Sequence, residues 1–166
     1  MSFLDSADDD PRRAKRRPLL FFILVTVAVG ASASTFTEPN IEGWYAGLSH
    51  PSFAPPNWVF APVWTALYVL MAVAAWRTWR VAGTKSPEML SYALQLIFNF
   101  AWSAIFFAAH RIGLAFIEIC VLVALILATA ILFWRRDRLA GLLFLPYLAW
   151  TSFAAFLTYA FWTLNP

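Results

Sequence analysis

The chain has 166 residues, of which 61% are hydrophobic and only 13% charged, with a formal net charge of +3. A soluble domain carries about 25% charge and could not hide this much apolar surface from water, while a single cysteine, Cys120, excludes a disulfide scaffold. The cationic excess sits beside long apolar runs rather than along a nucleic-acid-binding face, so the chain reads as an integral membrane protein with no nucleic-acid partner.

Residues 1–18 are polar, with Asp5 and Asp8 to Asp10 ahead of Arg12, Arg13, Lys15, Arg16 and Arg17. Such a segment reads as a disordered charged tail. Residues 19–36 are the first apolar run. Residues 37–57, TEPNIEGWYAGLSHPSFAPPN, form a loop rich in Pro and Gly and free of Lys and Arg. Four more runs follow at 58–79, 89–109, 112–134 and 139–164. RVAGTKSPE, the pair His110-Arg111 and RRDR separate them. Each run is 18 to 26 residues long, enough to cross ~30 Å of hydrocarbon at ~1.5 Å per residue. Backbone polar groups in lipid must be satisfied within the segment, so the runs must be helices. The expected fold is an all-α membrane protein: a five-transmembrane-helix bundle over residues 19–166.

The first run also fits a secretory signal peptide, with a basic n-region and Ala31-Ser32-Ala33 as an A-x-A cleavage site. Small residues near the end of a span equally suit tight helix packing. For orientation, eleven Lys and Arg fall on the side of the tail and the 2–3 and 4–5 loops, against Arg111 alone on the other. The positive-inside rule then places the N-terminus in the cytoplasm and the C-terminus outside.

Walker, HExxH and GxSxG motifs are missing, as is any Cys/His set with metal spacing; no metal site and no covalent cofactor are expected. His50 and His110 read as solvated loop residues, and Cys120 as a small apolar packer. Glu118 lies about one and a half turns into the fourth run, either as a proton or ligand contact or as an interfacial acid that reaches outer-face water or stays protonated. Helical spacing puts Trp64, Tyr68 and Met71 on one face, Gln95, Asn99, Trp102 and Phe106 on another, and Tyr147, Trp150, Ala154 and Leu157 on a third. These faces serve either to glue and fill the bundle or to line an aromatic pocket for a flat, mostly apolar ligand.

Three segments carry a resemblance: WYAGLSHPSFAPPNWVFAPVWTALY, YALQLIFNFAWSAIFF and LLFLPYLAWTSFAAFLTY. The first, with WYxxLxxPxFxPPxWVF followed by WTxLY, resembles the hallmark of the tryptophan-rich sensory protein family, also called the translocator protein or peripheral-type benzodiazepine receptor family. The resemblance covers roughly residues 19–165. It implies a five-helix membrane bundle, commonly a homodimer, that binds porphyrins such as protoporphyrin IX and haem, and isoquinoline and benzodiazepine compounds. It further implies a regulatory role tied to tetrapyrrole metabolism, or light-dependent porphyrin breakdown at the positions of Trp64 and Trp150, or carriage of porphyrin or lipid. The family's pocket positions match here at Tyr45, Trp64, Asn99, Trp102, Trp150 and Ala154; Tyr68 joins them on its helical face.

Two departures stand out. Leu157 and Tyr159 are followed by AFWTLNP, with no basic residue, so the cholesterol motif proposed for animal members is missing. Leu157-Thr158 also replaces the frequent Leu-Asn of the family. Pro51, Pro55 and Pro56 stiffen the 37–57 loop, which is expected to act as a lid with Tyr45 facing the pocket and Trp44 either facing it too or sitting, like Phe53 and Trp58, at the headgroup level. For the dimer, Ala104 and Ala108 on the third helix form a small-xxx-small pair favoured by analogy with the family, and Ala124 and Ala128 on the fourth form the alternative.

Overall fold

A computed structural model describes the backbone of residues 11–166 and the side chains of residues 17–166. Its helices are α1 (Pro11–Ile41), α2 (Phe60–Ala82), α3 (Pro87–Ser103), α4 (Ile112–Arg136) and α5 (Arg138–Leu164). α3 continues into a π-helical turn, Ala104–Ala108. Each of the five is long and apolar enough to cross a membrane, as the five apolar runs predict, and no strand occurs among the described residues.

The boundaries of α1 differ from expectation at both ends. The helix begins at Pro11, so residues 11–18, read above as disordered tail, are helical; residues 1–10 lie outside the described residues. It also continues past Phe36 and through Pro39 to Ile41. Proline forfeits its own backbone donor and crowds the carbonyl four residues back, a local cost that this helix end absorbs. Side chains re-cover nearby carbonyls: Thr37 Oγ1 donates to Ala33 O at 3.3 Å and Asn40 Nδ2 to Phe36 O at 2.9 Å.

The other boundaries follow from local chemistry. Gly83 ends α2 at φ 79°, a left-handed conformation that a side chain disfavours. Ser86 caps α3 by accepting from the Met89 amide at 3.3 Å, with Pro87 in the first turn. Asp137 breaks α4 from α5 in an extended conformation, and its Oδ1 accepts from Leu139 N at 3.0 Å and Ala140 N at 3.4 Å.

Packing joins α1 to α2, α2 to α5, α5 to α4, α4 to α3 and α3 back to α1, closing a ring. Two ion pairs of 2.7 Å, Arg77–Asp137 and Arg136–Glu88, tie the helix ends on the side of Gly83 and Asp137. A large apolar cluster fills that half and the middle, with Met71, Ile126, Phe133, Phe144 and Tyr147 fully or almost fully buried. A second cluster, built on Tyr45, Phe106, Phe107, Ile112, Leu157 and Phe161, closes the opposite end beneath the 42–57 loop. The candidate site lies where the two clusters meet.

Candidate ligand site

A cavity of about 420 Å³ opens between the helical ring and the loop, a volume within the ~300–1,000 Å³ usual for small-molecule sites. All seven residues singled out from the sequence line it: Tyr45 from the loop, Trp64 and Tyr68 from α2, Asn99 and Trp102 from α3, Trp150 and Ala154 from α5. The three helical faces therefore converge on one space. Met71, Gln95 and Tyr147, which share those faces, lie deeper and belong to the core.

A side-chain relay forms the floor. Tyr68 Oη donates to Asn99 Oδ1 at 2.9 Å, Asn99 Nδ2 donates to Tyr147 Oη at 3.1 Å, and Tyr147 Oη donates to Gln95 Oε1 at 3.0 Å. These bonds link α2, α3 and α5 and fix which way the Asn99 amide points. Each end of that amide keeps one further hydrogen-bonding position. Aromatic contacts hold the indoles. Trp64 stacks on Tyr68 with centroids 5.5 Å apart, Trp102 stacks on Phe106 at 5.2 Å, and Trp150 meets Phe60 edge-on at 5.8 Å. The indole N–H groups of Trp102 and Trp150 are buried and have no hydrogen-bond partner.

The π-helical turn shapes the α3 wall. Ala109 N donates to Ala104 O at 2.9 Å across five residues. The widened turn lets the successive residues Phe106 and Phe107 both point inward, where both are buried and line the cavity. Nothing in AIFFA breaks a helix, so this local change had no signal in the sequence.

The loop is pinned at both edges. Asn165 Oδ1 accepts from Ser49 N at 2.9 Å and Asn165 Nδ2 donates to Ser49 O at 3.1 Å, bonding the loop to the end of α5. On the other edge His110 stacks on Trp44 at 4.2 Å and bonds Asn40 Oδ1 through Nε2 at 3.1 Å. Tyr45 points down between Phe107 and Phe161, at 5.8 and 5.3 Å, and burial raises the pKa of its hydroxyl.

Two sequence readings change here, for Trp44 and Cys120, while His50 and His110 are exposed as expected. Trp44 does not line the cavity; it packs on His110 and Phe106. His50 and His110 are exposed yet engaged, His50 packing edge-on against Tyr45 and Phe161. Cys120 faces outward rather than packing inside. Glu118 is buried with neither carboxyl oxygen partnered, and it does not reach the cavity; helical phase turns it into the ring with Ala115 and Leu122.

The wall from α1 was missed. Gly30, Ala33, Ser34 and Thr37 line the cavity opposite the aromatics. A Cβ at Gly30 would lie 2.7 Å from Tyr68 Cδ2 and Cζ, so α1 can approach α2 there only with glycine. The run GASAS did signal this: small residues on one wall leave room that large rings on the others enclose.

Residues 22–163 match the TspO/MBR family. The chain is 40% identical over 152 residues to a translocator protein of Sus scrofa, covering 89% of this chain and 90% of that one. It is 37% identical over 144 residues to a tryptophan-rich sensory protein of Cereibacter sphaeroides, covering 87% and 90%. It is also 35% identical over 151 residues to protein CrtK of Rhodobacter capsulatus, covering 89% and 94%. With the match spanning all five helices, the chain belongs to the TspO/MBR family and is an integral, multi-pass membrane protein.

Proposed function

We propose that this protein is a membrane receptor for porphyrins and similar flat apolar ligands, which it holds in the cavity under the 42–57 loop to regulate tetrapyrrole-linked responses. One observation carries the reading: three indoles from three different helices line one largely apolar space, two of them with unspent N–H donors. A conjugated macrocycle supplies both faces for stacking and pyrrole or carbonyl acceptors for those donors. The lining includes neither Lys nor Arg among the described residues. Ring burial rather than ion pairing to carboxylates would therefore supply the affinity.

The lining also contains no His, Cys or Met among the described residues, so haem iron would find only oxygen side chains such as Tyr45. The residues fit a metal-free porphyrin better than an axially ligated haem. The test is a dark, anaerobic titration of purified protein with protoporphyrin IX, its dimethyl ester and haem, read by tryptophan fluorescence. Saturable quenching is expected for all three, with the ester as tight as the free acid and haem no tighter. Failure of protoporphyrin IX to bind would end the proposal.

A second reading is light-dependent porphyrin breakdown. It is favoured by the placement of both Trp64 and Trp150 on the cavity, against any excited ligand. Illumination of the loaded protein separates the two. The N-terminus is placed in the cytoplasm, by the Lys and Arg distribution, and the assembly is taken as a homodimer.

A further inference from the structure

A second concavity lies at the opposite end of the molecule, away from the porphyrin cavity. It runs between α1, the end of α2 and the start of α3, with a volume of about 1110 Å³. Its walls are apolar along most of their length: Phe21 and Val25 on α1, Trp79 on α2, and Leu90, Ala93 and Leu96 on α3. Its polar lining gathers at one end, at Thr84, Lys85 and Ser86, apart from Tyr92, whose hydroxyl is bonded to Thr26.

That end presents a cation and a donor. Lys85 is exposed and makes no ion pair among the described residues, whereas Glu88, the nearest acid in sequence, is spent on Arg136. Thr84 Oγ1 accepts from Trp79 Nε1 at 3.0 Å, which leaves its own proton to donate. Ser86 is saturated, donating to Gly83 O at 3.0 Å and accepting from Met89 N at 3.3 Å. The apolar stretch from Ser86 to Leu96 covers ten residues of α3, or ~15 Å at ~1.5 Å per residue, which is half of a ~30 Å hydrocarbon core. A groove as long as one leaflet, largely apolar and cationic at its interfacial end, has the shape and polarity of one lipid.

We propose that this groove seats a single anionic phospholipid, with its phosphate at Lys85 and Thr84 and an acyl chain along Trp79, Leu90, Ala93 and Leu96. The charge selects an anionic headgroup over a zwitterionic one. The apolar length selects a lipid over a free anion. The site is separate from the cavity under the loop, and the two share no lining residue.

The test uses delipidated full-length protein in detergent and native mass spectrometry, with phosphatidylglycerol, phosphatidylcholine and inorganic phosphate as probes. One tightly held phosphatidylglycerol is expected, with phosphatidylcholine weaker and inorganic phosphate not retained. Lys85→Gln should weaken phosphatidylglycerol about fivefold, the effect of one interfacial cation, and weaken phosphatidylcholine less, because its choline already offsets the phosphate charge. Ala93→Trp, at an exposed position that the fold does not need, should fill the groove and remove the bound lipid of either kind. Brominated phosphatidylglycerol should quench Trp79, and Trp79→Phe should remove that quenching component. Equal retention of the two lipids, retention unaltered by both Lys85→Gln and Ala93→Trp, or retention of phosphate alone would each overturn the proposal.

Discussion

Tyr68 donates its hydroxyl proton to Asn99 Oδ1 at 2.9 Å, linking α2 to α3 across the floor of the cavity. Asn99 therefore faces the cavity as part of a relay, already bonded on both sides. Tyr68→Phe removes one bond and leaves an amide oxygen short of a donor. In water such a loss costs ~1–3 kcal/mol, but inter-helix hydrogen bonds in membranes average ~0.6 kcal/mol and reach ~1.7. The membrane range applies, because the separated helices also find partners. Tyr147→Phe breaks two bonds of the same relay and should lower thermal stability by about twice as much. Equal losses for the two variants would mean that the bonds do not contribute independently and that the relay fails as a unit.

Gly30 bears on the same floor from α1. Gly30→Ala should gain up to ~1 kcal/mol of helix propensity, yet its Cβ must push the Tyr68 ring away and strain the bond to Asn99. The expected result is lower ligand affinity, because the displaced ring reshapes the floor, and lower stability, because the clash outweighs the gain in propensity. Unaltered affinity for several porphyrins would show that Tyr68 does not set the shape of the site.

The positions of the helices were legible because hydropathy over about 20 residues dominates in lipid. The faces of α2, α3 and α5 were legible because periodicity reports which side turns inward, and the hallmark segments named the same positions. What stayed hidden depends on long-range placement. Ser49 meets Asn165, 116 residues away, and no local pattern announces that pairing. The π-helical turn at Ala104–Ala108 arises from packing within an ordinary helical sequence. Helical phase, rather than depth along the run, decides that Glu118 turns inward and Cys120 outward.

The Ser49–Asn165 pair makes the lid testable. Asn165→Ala removes both bonds from the end of α5 to the loop while leaving every cavity-lining side chain in place. Amide exchange across residues 44–50 should accelerate, and porphyrin should both bind and leave faster with a nearly constant Kd. Unchanged exchange would show that Tyr45 packing and the Trp44–His110 contact hold the loop without Asn165.

Glu118 offers a prediction with the opposite sign. A buried carboxyl with neither oxygen partnered costs ~1–3 kcal/mol relative to a satisfied group. Glu118→Leu should therefore stabilise the bundle, read as a higher Tm in detergent. A lower Tm would mean that the carboxyl has a structural partner, such as a bound water.

The dimer prediction turns on α3. Ala104 and Ala108 fall on the π-helical turn, with Ala108 exposed, while Ala124 and Ala128 lie exposed on α4 beside Cys120. If α3 forms the interface, Ala104→Leu should shift the particle toward monomer in detergent without loss of helicity, since only small side chains allow close backbone approach. Efficient oxidative cross-linking through native Cys120, with Ala104→Leu still dimeric, would move the interface to α4.

The last prediction separates binding from photochemistry at the two indoles. Trp64 and Trp150 both line the cavity, Trp64 stacked on Tyr68 and Trp150 with a buried, unpartnered N–H. Trp64→Phe and Trp150→Phe keep an apolar ring but remove the indole and its lower oxidation potential. For a receptor, each change should shift porphyrin affinity by no more than ~1.5 kcal/mol, the size of one aromatic pairing. Trp150→Phe should then be the costlier of the two, because the unpartnered N–H it removes is one of the donors offered to the ligand. For a photoenzyme, both variants should still bind in the dark yet lose light-driven bleaching of the ligand. Bleaching that persists in both variants at the wild-type rate would mark it as a property of the illuminated porphyrin rather than of the protein. A triple substitution of Trp64 and Trp150 to Ala with Asn99→Leu is the decisive control: unchanged porphyrin affinity in that variant would place the ligand outside this cavity altogether.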